Sequence, residues 1–302
     1  MKIRIAATIV AATAAFAPQP AQRPPRTEVY LASLSTSAPL HAGGPVVNIS
    51  RSPGYDNQPS FTPDGSAVLF TSDRAGGETD IFRYDLAAAT TTELTHDAEN
   101  EYSPLVMPAG RAFSVVHGDE QSLWAYDLDG SHGRLLYQHK GKIGYHVWID
   151  DTHLGIFVLG DENEPNTLQI AEPGTNAAVV VASSIGRSLL MRPKTGTMTF
   201  VDKTRPGHWL VKELNPKTRA ITTLVETPEG SEDLAWDPMT GTLLTANGTR
   251  LLGWSPAQPA QGWRTIGDLA SDGVTKITRL AVNPVASAAA AGRIAIVGEP
   301  RE

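Results

Sequence analysis

The most constraining feature of this chain is a frame that returns every 42 to 46 residues. An apolar side chain stands two positions ahead of a Pro or Asp turn at Phe61, Val106, Trp148, Met191, Trp236 and Val282, at intervals of 45, 42, 43, 45 and 46 residues. Helical bundles and two-layer sandwiches have no reason to keep so even a spacing. One four-stranded blade of a β-propeller takes roughly 40 to 50 residues, so the period predicts an all-β ring of such blades.

The copy around Phe61 is punctuated most fully. Strands are expected at 59–62, 67–71, 80–86 and 91–95, the first pair joined by the tight turn Pro63, Asp64 and Gly65. Later copies place third strands at 123–127, 167–170 and 209–214, and fourth strands at 134–137, 178–181 and 220–225. The ends are complementary. After Pro284 one further strand remains, 293–297, while two unassigned strands, 28–34 and 45–49, precede the first full copy. Two C-terminal and two N-terminal strands complete one blade. The expectation is a six-bladed β-propeller, four antiparallel strands per blade, closed by pairing the two ends so that no edge strand is exposed.

Residues 1–21 read as a signal peptide: Lys2 and Arg4, an uncharged apolar run over 5–17, then Pro18 and Pro20. Residues 22–27 read as an extended linker, and 28–299 as the propeller. The apolar run is too short for a spanning helix, which needs about 20 residues, so no membrane span is expected. A periplasmic or secreted location follows from the leader. The net charge of -7 and the absence of a basic patch exclude nucleic acid as a partner, and zero cysteine excludes disulfides, thiol nucleophiles and cysteine-ligated zinc.

The run Pro59, Ser60, Phe61, Thr62, Pro63, Asp64 and Gly65, followed by Phe70, Thr71, Ser72, Asp73 and Arg74 and then by Ile81 and Phe82, resembles the TolB-type propeller repeat. In the next copy Ala109 replaces the turn Asp before Gly110, and later copies keep spacing more than letters. The resemblance covers the ring alone. The family also carries an α/β domain ahead of its propeller, whereas here the first strand follows the leader, so that family's partner contacts are not transferred.

Catalytic constellations are sparse. No Gly-x-Ser-x-Gly elbow occurs, which argues against a serine peptidase. His139, His146 and His153 are spaced by seven, but the frame puts them on different strands and predicts no shared metal site. Asp127, Asp129 and Gly130 begin like a calcium loop yet lack the remaining ligands, and read as a hairpin turn. The acidic stretch Asp161, Glu162 and Glu164 reads as a solvated loop, and Trp148 and Trp236 as packing between blades. Neither cofactor nor metal is expected.

Alternating strand direction brings all fourth-to-first and second-to-third connections out on one face. That face is expected to carry Tyr55, Asp56, Asn57, Glu99, Glu101, Tyr102, Lys142, Tyr145, His146, Arg187, Glu229, Glu232 and Asp233, with Asp73, Arg74, the 161–166 loop and the 205–208 loop beside them. It is the candidate binding face, because recognition concentrates on loops held by a rigid scaffold. Its charge is expected to be two-sided, with Lys142 and Arg187 set apart from the acidic positions. The functional expectation is a monomeric, exported, non-catalytic propeller that recognises a protein as a module or scaffold of the bacterial envelope. The alternatives are a divalent-metal-dependent propeller enzyme of lactonase or polysaccharide lyase type, and a propeller that binds carbohydrate or another small ligand without turnover.

Overall fold

The computed structural model describes residues 25–35, 37, 39–74, 77–285 and 292–301. The expected leader, 1–21, lies outside the described residues. Among the described residues, twenty-four strands form six antiparallel four-stranded sheets. The first blade is β3 (Asp56–Phe61), β4 (Ala67–Ser72), β5 (Asp80–Asp85) and β6 (Thr90–Glu93). The second is β7 (Glu101–Val106), β8 (Ala112–His117), β9 (Ser122–Asp127) and β10 (Arg134–Tyr137). The third is β11 (Ile143–Trp148), β12 (Leu154–Val158), β13 (Thr167–Glu172) and β14 (Ala177–Ser183). The fourth is β15 (Ile185–Met191), β16 (Met198–Asp202), β17 (Leu210–Leu214) and β18 (Ile221–Glu226). The fifth is β19 (Leu234–Trp236), β20 (Leu243–Asn247), β21 (Arg250–Trp254) and β22 (Arg264–Asp268).

The sixth blade closes the ring as expected: β23 (Val274–Val282) and β24 (Gly292–Pro300) join β1 (Glu28–Leu34) and β2 (Ala42–Asn48) in the order β2-β1-β24-β23. The seam is an unbroken register from Glu28 opposite Gly298 to Leu34 opposite Gly292. The protein is therefore a six-bladed β-propeller. Phe61, Val106, Trp148, Met191, Trp236 and Val282 are each the last residue of a first strand, so the period marks where the innermost strand leaves the channel for its turn. The two helices among the described residues are short 3-10 turns, and no described helix is long and apolar enough to cross a membrane.

The core is divided into six wedges. Each buried apolar cluster straddles one interface between adjacent blades: Leu69 and Ile81 with Phe113 and Val115 between the first two, for example, or Val201 and Val211 with Trp236 and Trp254 between the fourth and fifth. Second strands are covered on both faces by neighbouring blades, which is why β4, β8 and β12 are buried along their whole length and are mostly apolar on both faces. The outermost strands β14 and β18 are largely exposed. Trp148 and Trp236 play the packing role expected of them, and each also donates its indole N–H across a blade interface, to Ser114 Oγ at 3.0 Å and Thr199 Oγ1 at 3.0 Å.

Candidate functional site

Bulges in the innermost strands decide which side chains reach the channel. Pairing shifts between Asn57 and Ser60 in β3, Tyr102 and Leu105 in β7, Ile143 and Tyr145 in β11, Ile185 and Leu189 in β15, and Ile277 and Arg279 in β23. An extra residue at each point turns the local side chain away from the blade plane. Gln58 and Ser103 take positive φ, 56° and 54°, at equivalent points of neighbouring blades, and the Ser103 N–H donates to Gln58 Oε1 at 2.8 Å.

The result is a recess of about 540 Å³ at the channel mouth on the loop face, walled by Tyr55, Tyr102 and Tyr145 and floored by Arg187, Asp233 and Arg279. Asp233 accepts from Arg187 through both Nε and a terminal nitrogen, and from Arg279 at 3.1 Å. Arg279 also donates to Tyr145 Oη at 2.6 Å and Asn57 Oδ1 at 3.2 Å, with its guanidinium 4.8 Å from the Tyr145 ring centroid. One arginine on the closing blade thereby ties together the first, third and fifth blades. Glu232 is equally committed, accepting the Arg187 N–H at 2.8 Å and lying 3.4 Å from Lys203 Nζ. The carboxylates beside Arg187 hold its guanidinium firmly protonated, against the opposing effect of burial. Burial pushes the Tyr55 phenol up, so it enters any contact as a neutral hydroxyl.

Seven of the expected face residues meet here: Tyr55, Asn57, Tyr102, Tyr145, Arg187, Glu232 and Asp233. Glu99, Lys142 and Glu229 are exposed away from the recess. Three others are buried rather than displayed. Asp56 sits under the face with neither carboxylate oxygen hydrogen-bonded and Arg74 3.6 Å away, and burial pushes its pKa to about 6. Glu101 is buried at the start of β7, where its carboxylate accepts from Thr95, and burial again raises it, to about 7. His146 packs in the core with Nε2 2.7 Å from Ser114 Oγ, and desolvation lowers its pKa to about 3. These positions alternate along short strands, so a residue next to a channel residue faces a blade interface instead.

The charge expectation needs the same correction. Arg187 is bonded to the acids from which it was expected to stand apart, so the floor is a compensated network rather than a two-sided field. Asp73 and Arg74 serve that architecture: Asp73 accepts the Tyr55 N–H at 2.6 Å, and Arg74 lies 4.3 Å over the Phe82 ring while donating to the Ser50 carbonyl at 3.0 Å. Arg279, Thr278 and Lys276 were not among the expected residues. A signal for two of them was present, because channel residues lie three or four positions ahead of each frame residue, and counting back from Val282 reaches Arg279 and Thr278. The three spaced histidines stay separate, His139 beside Gly141, His146 against Ser114 and His153 against Asp150. Asp129 caps its hairpin turn by accepting from Ser131.

The fold and its mouth define a propeller with a compact, polar, aromatic-walled entrance and no histidine among the described residues that line it. No family model matches the chain. A 51-residue stretch is 43% identical to the Tol-Pal system protein TolB of Bordetella pertussis, covering 17% of this chain; the match spans about a tenth of that relative's length. Among solved structures, a protein assigned as TolB from Agrobacterium tumefaciens superposes with a TM-score of 0.67 at 11% identity, over 90% of this chain and 98% of that one. An oligogalacturonate lyase from Vibrio parahaemolyticus gives 0.53 at 14% identity, over 91% and 98%. The ring is a TolB-like β-propeller.

Proposed function

We propose that this chain is an exported, non-catalytic recognition module of the bacterial envelope, which takes a segment of a partner protein at the channel mouth. The observation that carries this reading is the chemistry of the recess. Its central acids, Glu232 and Asp233, are already bonded to Arg187, Arg279 and Lys203, which leaves contact surface rather than a free acid–base pair. Three tyrosines around a rigid guanidinium floor offer large apolar faces with polar tips, the composition that concentrates binding energy in protein interfaces. Because the floor side chains are already tied to one another by hydrogen bonds across blades, little ordering entropy is spent on binding. The likeness to TolB supports a protein partner and a periplasmic location, and the likeness to oligogalacturonate lyase extends to the fold.

The test is capture from envelope extract with the wild type and with the triple variant Tyr55→Ala, Tyr102→Ala, Tyr145→Ala, each first shown to unfold cooperatively. The reading expects a discrete protein captured by the wild type and lost by the triple variant. Equal capture by both, or loss on Lys217→Glu at the opposite face, would refute it. Cleavage of oligogalacturonate by the purified wild type would replace it with the lyase reading.

A further inference from the structure

We propose that Asp97, Glu101 and His117 form a divalent transition-ion site, of the zinc or manganese kind, at the interface between the first and second blades. The site is independent of the channel mouth. Asp97 lies on the connection leaving β6, Glu101 opens β7, and His117 ends β8, so an ion there would tie the incoming chain to two strands of the second blade.

One ligand atom from each of the three residues lies within 4.8 Å of the others. His117 Nε2 is 3.0 Å from Asp97 Oδ2 and 4.0 Å from Glu101 Oε1. Atoms bound at about 2.0–2.2 Å around a tetrahedral ion stand roughly 3.4 Å apart, so a small contraction on one side and opening on the other would complete the shell. The independent sign that a ligand belongs here is Glu101 itself. It is fully buried, its Oε2 is engaged by the Thr95 hydroxyl, and its Oε1 has no hydrogen-bond partner although it faces the gap between Asp97 and His117. A buried carboxylate oxygen without a partner is costly unless a cation or a proton meets it.

The surroundings hold the ligands in place. The His117 ring stacks on Trp124 with centroids 4.4 Å apart and planes 22° apart, and its other nitrogen lies 3.5 Å from Glu99 Oε2, the arrangement that orients a ligating imidazole. Tyr126 donates to Asp97 Oδ2 at 3.2 Å. Among the described residues no lysine or arginine pairs with Asp97, Glu99 or Glu101. One imidazole nitrogen with carboxylate oxygens favours zinc or manganese over calcium and magnesium, which prefer all-oxygen shells. The position at a blade interface assigns the ion a structural role. The sequence frame predicted no metal because its three ligands come from a loop and the ends of two strands, which no short motif brings together.

The test uses the full mature chain stripped with EDTA. Titration calorimetry with Zn²⁺ and with Mn²⁺ is expected to show one ion per chain and a raised Tm on loading. His117→Gln should weaken binding at least about tenfold, the loss expected when a ligand shell is disturbed, whereas His96→Gln, in the neighbouring trio of buried Asp80 with exposed Glu93 and His96, should leave it unchanged. Since His117 is buried and its variant could misfold, bound Mn²⁺ in the wild type should also show nitrogen hyperfine coupling from one imidazole. No ion uptake by the stripped wild type, binding that survives His117→Gln in a folded variant, or bound Mn²⁺ without nitrogen coupling would each overturn the site.

Discussion

Replacing Asp56 with Asn should stabilise the protein at pH 8 and do almost nothing at pH 4. The carboxyl is fully buried, and burial outweighs the help of Arg74 at 3.6 Å, so its pKa rises from 3.8 to about 6. The unfolded chain ionises the group near 3.8, so between there and about 6 the folded state holds the extra proton, and stability falls as pH rises through that window. Two pKa units correspond to about 3 kcal/mol of penalty, complete above pH 6 and absent below 3.8. Asn removes the charge at nearly the same volume, while Arg74 loses a partner worth about 1 kcal/mol at its partly exposed site. The net expectation is a gain of about 1–2 kcal/mol at pH 8. Urea unfolding of both proteins in EDTA, across pH 4 to 8, measures it. The quantity to read is the difference between variant and wild type, because Asp80 and Glu101 also carry raised pKa values of about 6 and about 7. A variant destabilised equally at both ends of the range would show that Asp56 is a satisfied, ionised carboxylate and that the argument is wrong.

Further expectations concern the closure and the floor. Removing residues 293–302 deletes most of β24, which pairs with both β1 and β23 and contributes Ile294 and Ile296 to one wedge and Ala295 and Val297 to the next. Burying three such branched side chains is worth roughly 5–9 kcal/mol, comparable to a domain's whole stability, so scanning calorimetry should find no cooperative transition. A retained transition would mean that the seam does not hold the ring. Asp233→Asn leaves Arg187 and Arg279 without their shared carboxylate and should cost about 3 kcal/mol, seen as a Tm lower by roughly 6–10 °C; an unchanged Tm would show that solvent compensates the two guanidiniums.

The ring was legible because its period comes from a geometric necessity. Every innermost strand must leave the channel by a tight turn, and the six frame residues are the last residues before that turn. The same necessity exposed the closure, since a strand count that fails at both ends by two has one economical solution. The site was legible only in part, for a reason visible in β3 and β7. Asn57 and Tyr102 reach the channel while their neighbours Asp56 and Glu101 are buried, and bulges after them reset the alternation. A loop-face assignment by position alone cannot separate such neighbours. Arg279 escapes a loop-face reading because it sits inside β23, on the blade completed by both ends of the chain. The pairing of Arg187 with Asp233 joins residues 46 positions apart on adjacent blades, a contact created by the ring rather than by local spacing.

Site-specific photocrosslinking tests most directly whether the channel mouth is where this propeller meets a protein. A benzophenone side chain would be placed at Tyr102, on the wall of the recess, and in a second protein at Lys217, in the turn joining β17 to β18 on the opposite face. Irradiation in intact cells is expected to give one discrete protein adduct from position 102 and none from position 217. The same adduct from both positions, or an adduct from position 217 alone, would contradict the account.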